Sequence, residues 1–249
     1  MKTEAGRETL GTFWWRGEHE GVQLGFTSVE AGNLGTHVGD PDHAAANRGR
    51  LEAHLGLESG ALHFLNQVHS ADLADADAQR ADSEAPTADA WVSVEGAPIA
   101  LLVADCLPVL LVGSGPQGLM VTAAAHAGRS GLIAGVLENT VTVLRSRGAE
   151  SISAWIGPGA CGDCYEVPQQ MFDELTATRP ALASATSWGT PALDLRAEAA
   201  TVLTSAGVVV MNEAAGCTIE DPALFSHRRS HQTGQAQGRI AGLVWTQRR

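Results

Sequence analysis

Apolar residues along this chain fall into short runs separated by polar and glycine-rich stretches. Strand-like runs occupy Leu62–Val68, Ala90–Val94, Ile99–Ala104, Val109–Val112, Leu119–Ala125, Ile152–Ile156 and Val208–Met211, with a last one at Arg239–Trp245. Several are apolar at nearly every position, as expected of strands covered on both faces. Between them the period lengthens to that of a helix. Over Gly131–Arg147, the residues Leu132, Val136, Leu137, Val141 and Leu144 fall near one stripe, and Gly148 stands where a left-handed C-terminal cap belongs. Helices are also predicted over Ala44–Leu55 ahead of Gly56, over Val167–Thr178 ahead of Arg179-Pro180, and over Ala192–Ala206 ahead of Gly207. Interleaved strands and helices predict a layered α/β (α+β) fold. The runs 90–94 and 99–104 are close enough to pair as a hairpin, so a mixed β-sheet covered by helices is expected rather than a purely parallel one. Ala71–Thr87, rich in Ala, Asp and Ser, reads as a solvated loop or frayed helix and not as a boundary. One domain spanning 1–249 is therefore expected.

Charge and length narrow the classes of function. The chain has 249 residues with 16 basic and 28 acidic side chains, a net charge of −12. That length allows a full hydrophobic core. The acidic balance argues against a nucleic-acid backbone as partner, because such binders cluster Lys and Arg. The most hydrophobic stretch, Pro98 to Gly113, is interrupted by Asp105 and Pro108 and is shorter than the ~20 apolar residues a bilayer span needs. The opening residues show no apolar h-region, so a reduced, cytoplasmic protein without a membrane partner is expected. In that setting the four cysteines, Cys106, Cys161, Cys164 and Cys217, are better read as ligands or nucleophiles than as halves of bridges.

Three chemistry-bearing residues share a position: His69 follows the run 62–68, Cys106 follows 99–104, and His126 follows 119–125. If those strands are neighbours of the same orientation, the three side chains converge on one rim of the sheet, where α/β folds build sites. Two imidazoles and a thiolate suit Zn²⁺ and leave a fourth position open. Copper also fits this donor set. A plainer reading makes each histidine a hydrogen-bonded strand end and Cys106 buried filler. A metal-free reading makes Cys106 a nucleophile activated by an imidazole, with Asp105 orienting a histidine. Cys161-x-x-Cys164 lies in the Gly/Pro loop 157–164 without a second CxxC, which favours turn chemistry over redox function. Basic residues are scarce, so Arg48, Arg50, Arg129 and the pair Arg228-Arg229 are candidate clamps for phosphate or carboxylate. No Walker loop or GxSxG is present.

Ordered motifs then carry a resemblance. They are Asn33-Leu34-Gly35-Thr36-His37-Val38-Gly39-Asp40, Asn47-Arg48-Gly49-Arg50-Leu51, Leu65-Asn66-Gln67-Val68-His69, Ala104-Asp105-Cys106-Leu107-Pro108-Val109, Ala125-His126-Ala127-Gly128, Ile156-Gly157-Pro158, Cys164-Tyr165-Glu166-Val167 and Phe225-Ser226-His227-Arg228-Arg229. Over roughly residues 25–246 the chain resembles the laccase-domain family, whose members bear the names polyphenol oxidase, purine nucleoside phosphorylase and peptidoglycan editing factor. The resemblance implies a single α/β domain with zinc held by His69, Cys106 and His126. It implies Cys106, His126 and Arg48 as catalytic residues, and Asn33, Gln67, Arg129, Cys164 and Arg228 as substrate contacts, with the 157–164 loop as a pocket wall. The implied activity is phosphorolysis of adenosine or inosine together with adenosine deamination, so the implied partners are a purine nucleoside and phosphate. Other expectations are an amidohydrolase editing peptidoglycan precursors, a copper polyphenol oxidase, and a non-catalytic metal-holding scaffold. The chain departs from the family pattern in three places. Arg129-Ser130 follows His126-Ala127-Gly128 in place of Trp-Arg, 27–32 is too short for a Gly-Gly-Val-Ser loop, and His227 replaces a tyrosine.

Overall fold

In the computed structural model, which describes residues 11–80 and 84–246, the strands divide between two facing sheets. β1 (Phe13–His19) and β2 (Val22–Thr27) form a hairpin turning through Glu20 and Gly21, at φ 50° and 82°. A two-residue connection with both residues at positive φ matches the twist of its flanking strands. α1 (Pro41–Leu55) is capped by the Asp40 carboxylate, opens on Pro41 and closes on Gly56 at φ 71°. There follow β3 (Leu73–Asp75), β4 (Ala90–Ser93), β5 (Ile99–Val103), β6 (Leu107–Ser114) and β7 (Met120–Ala127). Next come α2 (Arg129–Ala134), α3 (Val136–Ser146), β8 (Ser151–Ile156) and α4 (Gln169–Thr176). The chain ends through β9 (Ala183–Ala185), β10 (Pro191–Leu193), α5 (Leu195–Ser205), β11 (Val209–Met211), α6 (His227–Thr233) and β12 (Ile240–Thr246).

The first sheet, in the order β1-β2-β12-β5, is antiparallel throughout. The second, β11-β8-β6-β7-β4-β3, is mixed, with parallel pairs at its two edges. β9 and β10 make a separate two-stranded ribbon. Side-chain parity assigns the layers. Ile99, Leu101, Val103, Ile240 and Val244 of the first sheet meet Leu110, Val112, Ala124, Trp155 and Trp91 of the second in a core between the sheets. Alternate positions Ala100, Leu102, Ala241, Leu243 and Trp245 face outward onto Leu51 and Leu55 of α1. On the far side, Val109, Leu111, Ala123 and Ala125 pack against α3 and α5 through Val136, Val141, Leu144, Ala199 and Leu203. The order of layers is helix, sheet, sheet, helix. It leaves β5 to β8 covered on both faces and accounts for their unbroken apolar runs.

Several expectations change. Residues 62–68 are not a strand but an extended segment with isolated bridges His63↔Ile99 and Asn66↔Thr87, because the next backbone donors turn onto a side chain instead of a neighbouring strand. The 90–94/99–104 hairpin does not form. The Asp77 carboxylate captures the Ser93 hydroxyl and the Val94 and Glu95 amides, and the chain crosses from one sheet to the other. The helix over 131–147 is two helices broken at Gly135, φ 95°. Residues 192–193 belong to β10, and Asp194 caps α5. Part of 71–87 is structured, as β3 and a single 3₁₀ turn over Ala76–Ala78, while residues 81–83 lie outside the described residues, as do 1–10 and 247–249. β1, β2 and α6 were not predicted. Among the described residues no helix is long and apolar enough to cross a membrane.

Candidate metal centre

His69, Cys106 and His126 come together, though not as the ends of three like-oriented strands. His126 lies inside β7, near its C-terminal end. The antiparallel register that pairs Pro108 with His126 and Leu107 with Ala127 sets the start of β6, and Cys106 just before it, at that same end. Cys106 belongs to the three-residue crossover 104–106 that carries the chain from β5 in one sheet to β6 in the other. His69 arrives from the extended segment. The three ligand atoms lie within 4.8 Å of one another, with Cys106 Sγ 3.7 Å from His69 Nε2. The imidazole centroids of His69 and His126 are 4.8 Å apart at 67°. His69 and Asp105 have φ values of 62° and 86°, in the left-handed region. Such conformations cost a non-glycine residue about 1–3 kcal/mol and persist where surroundings enforce them. Gly128 is required by space: a Cβ there would stand 2.7 Å from His69 Cδ2 and 2.9 Å from Cys106 Sγ.

The enforcing group is Asp89, which sequence reasoning missed. Its fully buried carboxylate accepts hydrogen bonds from the amides of Val68 (3.1 Å), His69 (2.9 Å) and Ser70 (2.6 Å), and from His126 Nδ1 (2.8 Å). One side chain therefore bends the backbone around His69 and orients the His126 ring. The only sequence signal was an acidic residue opening an apolar strand, Ala88-Asp89-Ala90-Trp91. Burial alone would raise the Asp89 carboxyl, but the bonds from His126 and from the Ser70 and His69 amides outweigh it and bring it down to about 2. An ionised carboxylate can only accept, so His126 Nδ1 carries a proton and Nε2 is left facing Cys106. Burial also opposes ionisation of Cys106 and His126. Hydrogen bonds and charge prevail, from His126 and His69 in taking the Cys106 thiol down to about 6, and from Asp89 and then Cys106 in taking His126 up to about 9. Asp105, the carboxylate expected to orient a histidine, instead accepts from Thr218 Oγ1 (2.6 Å) and the Arg228 amide (2.7 Å).

These residues fit a metal ion. Metal-bound imidazole nitrogens and thiolates stand ~2.0–2.3 Å from zinc, which places ligand atoms ~3–4 Å apart, close to the separation already present. The histidine–carboxylate pair is the usual support for a metal-bound imidazole. The donor set accepts zinc or copper, and the carboxylate–histidine–thiolate chain can equally hold a thiolate and an imidazolium without metal.

The cluster forms the floor of a cavity of about 850 Å³ that spans the seam between the two sheets. Arg48, Gln67 and Arg239 line it from the first-sheet side, and Arg129, Tyr165 and Arg228 from the second. Arg48 donates Nε to the Leu34 carbonyl at 2.8 Å and lies 3.7 Å over the Phe64 ring. Burial lowers its pKa to about 10, so it remains a cation at neutral pH. Arg129 reaches Tyr165 and Met171, and Arg228 sits over the Tyr165 ring. His37 and His227 also line the cavity, and burial, with Arg239 adding to it, lowers the pKa of both. Gln67 is on the wall, but its amide is held by both backbone groups of Leu102. Two expected substrate contacts lie elsewhere. The Asn33 amide is consumed by Gly35, Val38 and Arg239 backbone groups, and Cys164 is buried beside Cys161 and Cys217. The 157–164 loop packs behind the cavity, and only the next residue, Tyr165, reaches its wall. Arg229 points away and clamps the carbonyls of Thr218, Ile219, Asp221 and Leu224. Arg50 bonds to Asn47. His37, Phe64, Tyr165 and Arg239 were not singled out from the sequence, since each lies in a different segment and the fold alone brings them together.

Fold and site together define a layered α/β protein whose candidate metal-binding Cys/His cluster opens into an arginine-lined cavity. The model of the multi-copper polyphenol oxidoreductase laccase family matches residues 16–247, and the chain belongs to that family. It is 42% identical to a purine nucleoside phosphorylase of Streptomyces coelicolor over 240 residues, 90% of this chain and 96% of that protein. It is 41% identical to a purine nucleoside phosphorylase of Mycobacterium tuberculosis over 216 residues, 86% of this chain and 84% of that protein. Among solved structures, a Neisseria meningitidis protein of the DUF152 family superposes with a TM-score of 0.78 at 32% identity, covering 95% of this chain and 100% of the other. YlmD from Geobacillus stearothermophilus gives 0.76 at 28% identity, covering 92% and 93%.

Proposed function

We propose that the chain is a single-domain purine nucleoside enzyme that phosphorolyses adenosine or inosine and deaminates adenosine. The Cys106–His126–His69 centre would hold zinc, and Arg48, Arg129, Arg228 and Arg239 would hold the anion. The observation that carries this reading is four arginines facing one cavity in a chain of net charge −12. Cations gathered against the overall charge suit a local anionic ligand, and arginine suits phosphate. The names of the relatives support the same reading. Free thiols suit a reduced compartment such as the cytoplasm.

In phosphorolysis a phosphate oxygen forms a bond to the ribose C1′ while the C1′–N9 bond breaks, giving ribose 1-phosphate and a purine base that takes up a proton. The arginines fix and orient the phosphate. Phe64 and Tyr165 offer apolar faces for the base. In deamination a water oxygen replaces the C6 amino group, which leaves as ammonia. When bound, zinc supplies Lewis acidity and a water of lowered pKa for that step. Asp89 keeps the His126 ring in one tautomer and one orientation throughout.

The test is incubation of purified protein with adenosine and phosphate, followed by separation of the products. Adenine, hypoxanthine or inosine above a Cys106→Ala control, with base release dependent on phosphate, supports the reading. No product from adenosine or inosine removes it. Phosphate-independent release of amino acid from UDP-linked muramyl substrates would reassign the centre to amide hydrolysis.

A further inference from the structure

A second group of metal-ligating side chains stands apart from the centre just described. Cys161, Cys164, Cys217 and Glu220 each offer one ligand atom, and these four atoms lie within 4.8 Å of one another. In sequence they form two identically spaced pairs, Cys161-x-x-Cys164 and Cys217-x-x-Glu220. A search for a second CxxC passes over the second pair because its last member is a carboxylate. We propose that these four residues are a structural zinc site, distinct from the His69–Cys106–His126 centre and closed by four protein ligands.

Both pairs are carried on tight turns. The amides of Cys164 and Tyr165 donate to the Cys161 carbonyl at 3.0 and 2.9 Å, and the Asp221 amide donates to the Cys217 carbonyl at 3.0 Å. The turns are held face to face by the bridge Gly159↔Cys217, with Gly159 N to Gly216 O at 3.2 Å and Thr218 N to Gly159 O at 3.0 Å. The backbone thus sets the ligand spacing before any ion arrives. Zinc–sulfur bonds of ~2.3 Å in a tetrahedron place ligand atoms ~3.8 Å apart, so a small contraction completes the site. Three soft thiolates with one carboxylate suit Zn²⁺ and disfavour Mg²⁺ or Ca²⁺. Cys164 is buried and Glu220 exposed, and a surface depression of about 370 Å³ beside Cys217 and Glu220 gives an ion access.

The site lies behind the cavity rather than in it. Tyr165, one residue beyond Cys164, lines the cavity, and Thr218, one residue beyond Cys217, bonds to Asp105 beside Cys106. A metal here staples the 157–165 loop to the 217–224 segment and so fixes the outer wall of the active cavity. Catalysis does not pass through it.

The experiment is zinc content of the full-length protein together with Co²⁺ reconstitution. Wild type should hold about two zinc per chain, Cys106→Ala about one, and Cys106→Ala/Cys217→Ser essentially none. Metal-stripped Cys106→Ala reconstituted with Co²⁺ should show the intense visible bands of tetrahedral cobalt with thiolate ligands. Because a cysteine variant can fail to fold, Glu220 supplies a second readout. In the Cys106→Ala background, Glu220→Ala should lose zinc to EDTA at least ~10-fold faster, and Glu220→Cys should lose it more slowly. Cys106→Ala that neither holds zinc as purified nor, once stripped and reconstituted, gives thiolate–cobalt bands overturns the proposal. So does zinc release indifferent to both Glu220 variants, or a native Cys161–Cys164 disulfide. Beyond the wild-type count, every arm reads metal in protein lacking Cys106, so the proposal stands or falls independently of any turnover of adenosine.

Discussion

Asp89→Asn tests how the centre is held. In the wild type, Oδ1 accepts from His69 N and His126 Nδ1, while Oδ2 accepts from Val68 N and Ser70 N. An amide of the same shape keeps one oxygen and makes the other position a donor, so in either orientation two of four buried donors face an NH₂ group. At about 1.5–3 kcal/mol for each hydrogen bond to a charged group, two lost bonds amount to about 3–6 kcal/mol. Backbone relaxation and an entering water offset part of this, leaving an expected loss of about 3 kcal/mol. For a chain of this size that lowers Tm by roughly 6–12 °C. The assay is urea and thermal denaturation of the chelator-treated protein, so that bound metal does not mask the effect. The pH dependence gives a second signature. Although burial pushes the Asp89 carboxyl up, its hydrogen bonds hold it down, from an ordinary 3.8 to about 2. Its stabilisation is therefore complete above pH ~4 and is lost as pH falls through ~2, a change of about 2 kcal/mol that the asparagine variant lacks. An Asp89→Asn protein within about 1 kcal/mol of wild type at neutral pH refutes the four-donor assignment.

Three further outcomes are expected. Gly128→Ala puts a methyl group against His69 and Cys106, so metal retention should fall by about 10-fold or more with the far-ultraviolet circular dichroism unchanged; wild-type metal content in that variant would count against the assembled centre. In metal-free protein, Cys106 should alkylate with a midpoint near pH 6, while burial and the Cys217 thiol push Cys161 up to about 11, and burial with the neighbouring thiols raises Cys164 further; a Cys106 midpoint near the ordinary 9 contradicts the hydrogen bonding described. Arg229→Ala removes donors from four carbonyls and should cost about 3 kcal/mol in denaturation, whereas Arg228→Ala should raise the KM for phosphate with little change in Tm; the reverse pattern would exchange their roles.

The layered α/β character and most central strands were legible because strands covered on both faces read as unbroken apolar runs. The division into two sheets was not. The choice between a hairpin and a crossover after Ser93 rests on one carboxylate, Asp77, which binds three donors from a distance. The β1–β2 hairpin had a signal in the alternation Val22-Gln23-Leu24-Gly25-Phe26 and the Glu20-Gly21 turn, but the aromatic run Phe13-Trp14-Trp15 obscured its first strand. His69, Cys106 and His126 could be picked out because imidazole and thiol chemistry is conspicuous. Asp89 and Arg239 are common residue types in unremarkable settings, and their roles depend on contacts 19 to 206 positions away. Asn33 and Cys164 stood in recognisable motifs, yet a motif marks a fixed local geometry as readily as a contact with substrate.

The cavity takes one wall from each half of the sandwich, with Arg48 and Arg239 carried by the first half and His126 and Arg129 by the second. Its aperture is therefore set by how closely the sheets approach, which depends on Phe26, Trp91 and Trp155 in the interior. Gly157 belongs to the same fit, since a Cβ there would run into the Phe26 ring. The interior works as a spacer gauge. A change of one ring or methyl group deep between the sheets would move the cavity arginines relative to the His69–Cys106–His126 cluster while touching none of them, and the shape of the cavity can be tuned from the core.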